Sequence, residues 1–332
     1  MDILIIGGTR NVGHFLTLEL LGNGHRVTVF NRGKTRDELP SHVQRLRGDR
    51  SDPESLAGAL AGTSFDVVVD MALYNATDAK VIAELMDGRT GQYLFLSTGQ
   101  VYLVREESPR PFTETASEKP LLPAPLPGTR DHEEWSYGVN KAEAEDILMR
   151  AWQTHGFPVT TLRLPMVNSE RDHFHRIHSY LLRMGDGGPI LLPRGHHLLL
   201  RHIYAMDVVQ AILRVIQTGI GQGRVYNISQ DETLTIDDFL FLLAEIAGYA
   251  LQVKHVERTV LENLQLLPDC SPFSDPWMSE LDNQRSKLEL GMQYTSLPVY
   301  LEKMVRHYEG SQLPLPGGYQ RRNQEVRLAS ES

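Results

Sequence analysis

Apolar runs alternate with helical patterns along the first half of the chain. Residues 3–6 form a continuous apolar run, typical of a strand that is buried on both faces of a parallel sheet, and further strands are predicted at 26–30, 66–72, 93–97 and 159–164. Helical patterns lie between them at 12–21, 51–60, 76–86 and 135–153. Strands that alternate with helices form βαβ units. The sequence therefore predicts an α/β fold, with a doubly wound parallel sheet and helices on both faces.

A glycine-rich turn separates the first predicted strand from the first predicted helix. It reads Gly7-Gly8-Thr9-Arg10-Asn11-Val12-Gly13, in the strand–turn–helix context that a dinucleotide-binding turn requires. Gly7 is expected to permit the tight turn, Gly8 to let a pyrophosphate approach the backbone, and Gly13 to allow close packing of helix and strand. The helix N-terminus offers amides and a partial positive charge to phosphates. All seven residues are therefore candidate cofactor ligands.

The end of the second predicted strand indicates which dinucleotide binds. In NAD-binding proteins an acidic side chain at this place bonds the ribose 2′-OH. This chain has Asn31 and Arg32, followed by Lys34, and Arg10 adds a cation from the glycine turn. Cations attract a 2′-phosphate, so the sequence favours NADP(H), with NAD(H) as the alternative. Asp49, in the segment between the second predicted strand and the helical pattern at 51–60, is either a partner of the adenine amino group or a turn-forming residue.

Thr98, Tyr137 and Lys141 are the candidate catalytic residues. Tyr137 and Lys141 stand at i and i+4 of a predicted helix and share a face. A nearby ammonium favours a phenolate, so Lys141 is expected to lower the pKa of Tyr137 towards neutrality and to hold the nicotinamide ribose. Thr98 follows a strand at its carboxyl end, where ligands bind in open parallel sheets, and its hydroxyl is suited to hold a substrate oxygen. Gln100 is a further candidate substrate contact.

The character of the sequence changes after Pro165. Five arginines and six histidines fall within 166–202. We predict a nucleotide-binding domain over 1–165, a substrate-binding lobe over 166–310 with 203–228 returning to the sheet, and a flexible tail over 311–332.

Charged and aromatic residues of this segment are candidate substrate contacts. If 173–184 is helical, Arg176, Tyr180 and Arg183 share a face that either grips a phosphate or carboxylate or is simply solvated. Arg201 is a further candidate. The histidines are His173, His175, His178, His196, His197 and His202. No acid or cysteine is arranged with the first three of them, so no metal site is predicted.

Composition and charge narrow the function classes. The chain has 332 residues, of which 41% are hydrophobic and 23% charged, as in ordinary globular proteins. The formal net charge of -9 disfavours a general nucleic-acid binder. The single cysteine, Cys270, excludes an internal disulfide. The apolar run at the start is too short for a signal peptide, and no stretch is long enough to span a membrane, so the expected location is cytoplasmic.

Three further motifs follow the glycine turn in order. They read Ser97-Thr98-Gly99-Gln100-Val101-Tyr102, Tyr137-Gly138-Val139-Asn140-Lys141 and Ile203-Tyr204-Ala205-Met206-Asp207. With the glycine turn, they resemble the motifs of the extended short-chain dehydrogenases/reductases, the NAD-dependent epimerase/dehydratase family. The resemblance runs over about residues 1–308 and ends with Leu288-Glu289-Leu290-Gly291. It implies a Rossmann-type fold with a smaller α/β C-terminal substrate lobe.

The same resemblance implies roles for particular residues. Thr98, Tyr137 and Lys141 correspond to the family's catalytic triad. Ala72 and Pro165, at the ends of predicted strands, join the candidate cofactor contacts. The resemblance also implies a homodimer formed through the helix that bears Tyr137.

Some positions depart from the family pattern. Arg10 replaces the middle glycine of the turn, which is similar to an atypical branch that includes chloroplast stem-loop-binding proteins, some of which bind RNA. Gly99-Gln100 replaces the Asp-Glu pair with which the family's 4,6-dehydratases eliminate water, so dehydration is not predicted. Asn168-Ser169-Glu170 replaces Tyr-Gly-Pro, which weakens the case for nucleotide-sugar recognition.

The sequence thus predicts an NAD(P)-dependent oxidoreductase that reduces a small-molecule ketone, or oxidises the alcohol, by hydride transfer. One alternative is a nucleotide-sugar epimerase that acts through a transient ketone. An alternative of another class is a non-catalytic ligand- or RNA-binding protein. The expected partners are a small-molecule substrate, with phosphorylated compounds and nucleotide sugars among the options, and a second copy of the chain. Neither a membrane nor nucleic acid is expected as a partner.

Overall fold

Two units, each built from three chain segments, make up the protein. The structure is a computed structural model that describes residues 1–34, 37–195, 198–311 and 313–331. The first unit comprises Met1–Val167, Ala205–Ser229 and Ser279–Gln293, and the second comprises Asn168–Tyr204, Gln230–Met278 and Tyr294–Ser332. The sequence placed the boundary after residue 165 and returned 203–228 to the sheet. It did not anticipate that 279–293 also belongs to the first unit.

Strands and helices alternate along the chain. The strands are β1 (Asp2–Ile6), β2 (Arg26–Asn31), β3 (Gln44–Arg47), β4 (Phe65–Asp70), β5 (Thr90–Thr98), β6 (Val159–Leu164), β7 (Val167–Asn168), β8 (Ile190–Pro193), β9 (Ile203–Tyr204), β10 (Arg224–Asn227) and β11 (Val253–Val256). The helices are α1 (Asn11–Gly22), α2 (Pro53–Ala59), α3 (Ala76–Met86), α4 (Gln100–Leu103), α5 (Arg130–His155), α6 (Arg176–Gly185), α7 (Ala205–Thr218), α8 (Ile236–Ala247), α9 (Arg258–Asn263), α10 (Gln284–Leu290), α11 (Leu297–Glu309) and α12 (Arg322–Glu331).

The first unit is built on a seven-stranded parallel sheet. Its order is β10-β6-β5-β4-β1-β2-β3, and the predicted doubly wound parallel sheet is thereby confirmed. From β1 the chain first builds outwards to β2 and β3, and then returns to the other side with β4. Ligands bind at such a switch point, outside the carboxyl ends of the strands. Ile6 pairs with Phe30 on one side and with Asp70 on the other, so these three strand ends lie side by side.

Capping residues fix both ends of α5, the helix that carries Tyr137 and Lys141. The Thr129 side chain accepts a hydrogen bond from the His132 amide at 3.2 Å, which satisfies one of the free amides of the first turn. Gly156 ends the helix with a φ of 78°, a conformation in which a side chain would be strained. Thr235 caps α8 in the same way, since its side chain accepts from the Asp238 amide at 3.1 Å.

The C-terminal segment is ordered as a helix, whereas the sequence predicted a flexible tail. Residues 322–331 form α12 in the second unit. Glu325 of this helix is fully buried and pairs with Arg183 of α6 at 2.6 Å. The polar composition of the segment favoured a mobile tail, because α12 is anchored mostly by ion pairs, with apolar packing only from Leu328 and Ala329. No helix within the described ranges has the length and apolar character needed to cross a membrane.

Candidate functional site

Backbone conformation and close packing explain the glycines in the turn after β1. Gly7 has a φ of +89°, a conformation that glycine adopts without strain. A Cβ on Gly8 would lie 2.5 Å from Ile5 Cγ2, and a Cβ on Gly13 would lie 2.6 Å from Gly8 Cα. Gly13 therefore permits close packing of α1, as predicted. Gly8 is required by packing against β1, and its role in the approach of a pyrophosphate stays a prediction.

A cavity of about 360 Å³ lies at the carboxyl ends of β1, β2 and β4. It brings together many of the predicted cofactor residues, namely Gly7, Thr9, Arg10, Asn31, Arg32, Lys34, Asp49 and Ala72. The turn residues Gly8, Val12 and Gly13 contribute through packing, and Asn11 begins α1 with a φ of 46°. Pro165 is buried directly after β6.

The outer part of this cavity is cationic. Arg10, Arg32 and Lys34 line it together with Asn31. The Asn31 side-chain oxygen accepts from the Gly33 amide at 2.8 Å and from the Arg47 guanidinium. Arg47 was missed by the sequence analysis, because its pairing with Asn31 depends on the register of β2 and β3.

Two polar groups of the cavity bear on how a dinucleotide fits. Within the described part of the chain, Asn31 Nδ2 is buried and has no hydrogen-bond partner. Hydrogen bonds from Ser51, together with the charges of Arg32 and Lys34, lower the pKa of the Asp49 carboxyl. Gly7 forms the tight turn, and three cationic side chains line the cavity, where they suit phosphate groups. These residues fit a dinucleotide.

The three candidate catalytic residues meet beside β5. Thr98 ends β5, and its hydroxyl lies close enough to the phenol of Tyr137 on α5 to affect the pKa of Tyr137. Lys141, one turn along α5, is almost completely buried. Its ammonium donates to Leu73 O at 2.9 Å and to Leu96 O at 2.7 Å. The same nitrogen lies 4.3 Å from the centre of the Phe95 ring, which adds a cation–π contact.

Burial dominates the protonation of this cluster. It raises the pKa of Tyr137 to about 12, a shift increased by Tyr74 and Glu134 and opposed by the Thr98 hydrogen bond. Burial also lowers the pKa of Lys141 to about 7, against the attraction of Asp70 and Glu145. The expectation that Lys141 lowers the pKa of Tyr137 is therefore not met in this structure. The Lys141 ammonium is held by two main-chain carbonyls, and desolvation disfavours both charged forms.

A carboxylate that the sequence analysis missed belongs to the same cluster. Gln100 donates from its side-chain amide to the Glu134 carboxylate, and its backbone amide donates to Thr98 Oγ1 at 3.2 Å. Glu134 precedes Tyr137 by three residues on α5, a spacing that places both on one helix face. A Cβ on Gly138 would lie 2.8 Å from Gln100 O, so this glycine lets α5 approach α4 closely.

The predicted phosphate-gripping face of α6 is instead part of the interior of the second unit. Tyr180 is fully buried and accepts a hydrogen bond from the Phe273 amide at 3.1 Å. Arg183 is fully buried in its ion pair with Glu325. Because both side chains are buried and already have partners, they neither bind a phosphate nor face solvent. Both interpretations offered for this face are therefore wrong for Tyr180 and Arg183.

The other two arginines proposed for substrate binding already have partners in the second unit. Arg176 pairs with Asp172 at 3.2 Å, and Arg201 donates from Nε to Gln230 O at 3.0 Å. The histidines His173, His175, His178 and His202 belong to no group of three or more His, Cys, Asp or Glu side chains suited to a metal in the described ranges. His196 and His197 lie outside the described residues.

Comparison with known proteins identifies relatives of this chain. A family model described as the NAD dependent epimerase/dehydratase family matches residues 3–229. The chain is 26% identical over 260 residues to the chloroplast stem-loop binding protein of 41 kDa b of Arabidopsis thaliana, covering 74% of this chain and 63% of that protein. It is 27% identical over 152 residues to 2′-dehydrokanamycin reductase of Streptomyces kanamyceticus, covering 46% and 39%. The matches thus span less than two thirds of either relative.

A solved structure shares the fold over nearly the whole chain. It is a dTDP-glucose 4,6-dehydratase from Bacillus anthracis in complex with NAD, with a TM-score of 0.74 and 18% identity. The match covers 94% of this chain and 97% of that one. At this level of identity the likeness concerns the fold alone.

Proposed function

We propose that this chain, which belongs to the NAD dependent epimerase/dehydratase family, is an NADP(H)-preferring reductase that converts a small-molecule ketone into an alcohol. The observation that carries the proposal is the proximity of the Thr98 and Tyr137 hydroxyls at the carboxyl end of β5. Two neighbouring hydroxyls are placed to bind one carbonyl oxygen together. Donors fixed in advance stabilise the negative charge that develops on such an oxygen during reduction.

Tyr137 acts as the general acid in this proposal. Because burial raises its pKa to about 12, the phenol keeps its proton at neutral pH. It donates that proton to the substrate oxygen as the carbonyl becomes an alcohol, while the Thr98 hydroxyl holds the same oxygen. A bound NADP(H) supplies the hydride. A protonated phenol supports the direction of ketone reduction over alcohol oxidation.

Other residues of the first unit would hold the cofactor. The amides of the glycine turn and the N-terminus of α1 bind the phosphates. Arg10, Arg32 and Lys34 line the cavity where a 2′-phosphate would be attracted, which supports the preference for NADP(H) over NAD(H). Lys141 donates a hydrogen bond to the ribose beside the nicotinamide and gives up one of its two hydrogen bonds to main-chain carbonyls.

Titration of the purified protein with NADPH and with NADH, followed by nucleotide fluorescence, tests the proposal. Micromolar NADPH binding, with weaker NADH binding, is the expected result. A screen of ketones for NADPH oxidation then identifies the substrate class. Consumption of one NADPH for each alcohol formed would establish reduction.

The same titration separates the alternatives. Tighter binding of NADH would overturn the NADP(H) preference and favour an epimerase, which is tested with nucleotide sugars. Binding of neither nucleotide would favour a ligand- or RNA-binding protein, in line with the similarity to the chloroplast stem-loop binding protein. RNA affinity that falls steeply with salt would then support that function, although the net charge of -9 opposes it.

A further inference from the structure

Another cavity lies wholly within the second unit, where three helices end. Its volume is about 310 Å³, which falls within the range of about 300–1,000 Å³ that is usual for small-molecule sites. Gly185 ends α6, Glu309 ends α11, and Tyr249 lies two residues after the end of α8, and all three line this helix-end cavity. The nucleotide cavity, by contrast, is lined by residues of the first unit. The helix-end cavity is therefore a separate candidate site.

Aromatic rings form much of the wall of the helix-end cavity. They belong to His178, Tyr249, Tyr308 and Tyr319. The rings of His178 and Tyr308 are stacked, with their centres 4.8 Å apart. The Tyr319 hydroxyl donates to the Asp186 carboxylate at 2.7 Å, which fixes the position of its ring. Tyr249 is 38% exposed, so a molecule from solvent can reach its ring. The faces of such rings carry partial negative charge and attract cations.

The charges around the helix-end cavity also favour a cation. The carboxylates of Asp186 and Glu309 line it, and no lysine or arginine does so in the described part of the chain. Arg322 offsets the charge of Asp186 through an ion pair at 2.7 Å, which leaves Glu309 as the main source of negative charge. The ends of α6, α8 and α11 add partial negative charge, because helix dipoles are negative at the C-terminus. Burial lowers the pKa of His178, so its imidazole is neutral at physiological pH.

The wall of the helix-end cavity indicates which kind of cation fits. Metal ions require several oxygen, nitrogen or sulfur ligands, and no group of three or more His, Cys, Asp or Glu side chains suited to a metal occurs within the described ranges. A primary ammonium is compact and strongly hydrated. An alkylated ammonium suits aromatic rings better, and quaternary ammonium groups are bound by aromatic cages in this way. Leu181 and Leu182 also line the cavity and offer apolar contacts to its alkyl groups.

We propose that the helix-end cavity binds a small organic cation with an alkylated ammonium group. The ammonium lies against the tyrosine rings and near the Glu309 carboxylate. Gly185 leaves room beside one of these rings, since a Cβ there would lie 3.5 Å from Tyr249 Cζ. The inference goes beyond the proposed reductase, because the site lies in the second unit and its ligand is neither the dinucleotide nor the ketone.

A pair of ligands with the same shape tests the role of charge. Choline carries a trimethylammonium group, and 3,3-dimethylbutan-1-ol has carbon in place of the charged nitrogen. Both are titrated calorimetrically into the full chain without NADPH, in about 0.15 M salt, which screens the general attraction of cations to a protein of net charge -9. We expect choline to bind about tenfold or more tightly than the neutral alcohol. Equal affinities, or no binding of choline, would overturn the inference.

Two substitutions of Tyr249 test the role of the ring. Tyr249→Leu removes the aromatic face and should weaken choline binding by about fivefold to tenfold. Tyr249→Phe keeps the ring and should bind choline as the wild type does. Both variants should fold because the side chain is 38% exposed, and thermal unfolding checks this. Unchanged choline affinity in Tyr249→Leu would contradict the proposed contact.

Two substitutions on α11 separate the site from the overall charge of the protein. Glu309→Gln and Glu302→Gln each remove one negative charge from the same helix. Glu302 pairs with Arg306 at 3.2 Å and serves as the control. We expect Glu309→Gln to weaken choline binding by about twofold to fivefold and Glu302→Gln to leave it unchanged. Equal weakening by both would mean that choline responds to net charge alone and would overturn the site.

Discussion

The Thr98 hydroxyl lies near the Tyr137 phenol, although the two residues come from different elements of the first unit. Thr98 ends β5, and Tyr137 belongs to α5. Next to Tyr137, Gly138 lets α5 approach α4 closely, since a Cβ there would lie 2.8 Å from Gln100 O. The pair of hydroxyls is the part of the site from which the proposed chemistry follows.

Replacing Tyr137 by Phe should abolish turnover and spare cofactor binding. The change removes the proton donor and keeps the ring, so a loss of about a hundredfold or more in kcat is expected, as for general acids elsewhere. Measurement of kcat and of NADPH affinity on the same preparation checks this. The matched control is Tyr249→Phe in the second unit, which should keep both values. Undiminished turnover in Tyr137→Phe would remove the phenol from the mechanism.

Replacing Arg32 by Ala should weaken NADPH binding and leave NADH binding nearly unchanged. Arg32 lines the cavity beside Asn31 and Lys34, where a 2′-phosphate would lie. Loss of one charge-assisted hydrogen bond costs about 1.5–3 kcal/mol, or roughly tenfold to a hundredfold in Kd. Arg26→Ala is the control, because Arg26 pairs with Asp2 at the other end of β2. Equal weakening of both nucleotides by Arg32→Ala would count against the phosphate assignment.

Lys141 should make the stability of the protein depend on pH. Burial lowers its pKa from 10.5 to about 7. Below pH 7, Lys141 is protonated in the folded and in the unfolded chain, and the cost of burying its charge opposes folding in full. Between that pH and 10.5 the unfolded chain binds the additional proton, so this group makes the free energy of unfolding rise with pH.

Lys141→Met removes this dependence. Between about pH 7 and about pH 9.5, Lys141 should raise the free energy of unfolding of the wild type by on the order of 3 kcal/mol, and the variant should lack this rise. Urea unfolding of both proteins at each pH measures the difference. Lys80→Met is the matched control, because its side chain is 71% exposed on α3 and is solvated in both states. Parallel pH profiles for wild type and Lys141→Met would show that Lys141 is not desolvated as described.

Gly13→Ala and Gly22→Ala should act in opposite directions, although both glycines belong to α1. A Cβ at Gly13 meets the Gly8 backbone at 2.6 Å, whereas a Cβ at Gly22 has nothing within 4 Å. Gly13→Ala forces α1 away from the turn, so we expect lower stability, by about 1–3 kcal/mol, and weaker NADPH binding. Gly22→Ala should raise stability by up to about 1 kcal/mol. Thermal unfolding and NADPH titration of both variants test this pair.

Arg183 and Glu325 should be strongly coupled in the folding of the second unit. Both are fully buried, and their side chains lie 2.6 Å apart. Removing Glu325 leaves the buried Arg183 without its ion-pair partner, at a cost of about 3–5 kcal/mol. Removing Arg183 should cost less, because Glu325 keeps Arg322 as a partner at 3.0 Å, and removing both should cost less than the sum. Urea unfolding of Arg183→Met, Glu325→Leu and the double variant measures the coupling. Arg322 keeps Asp186 as a partner at 2.7 Å in each case. Additive effects would mean that α12 is not anchored through this pair.

The sequence by itself determined the elements and the order of the first unit. Strands β1, β4 and β5 contain apolar runs, and the helices between the strands follow local patterns. The glycine turn and the spacing of Tyr137 and Lys141 are equally local, so the location of the site near the strand ends followed from them. Each of these features depends on residues within a few positions of one another.

Only the tertiary structure decided which polar groups meet. Side-chain hydrogen bonds join Gln100 to Glu134, Asn31 to Arg47 and Arg50 to Asp70, and in each pair the residues are far apart in the sequence. The burial of Arg183 and Tyr180 turned a predicted binding face into part of the interior. Protonation was likewise beyond the sequence, since the pKa of Lys141 depends on how completely the fold removes water from its ammonium. Periodicity reports the local path of the chain, whereas desolvation and polar pairing depend on which distant segments the fold brings together.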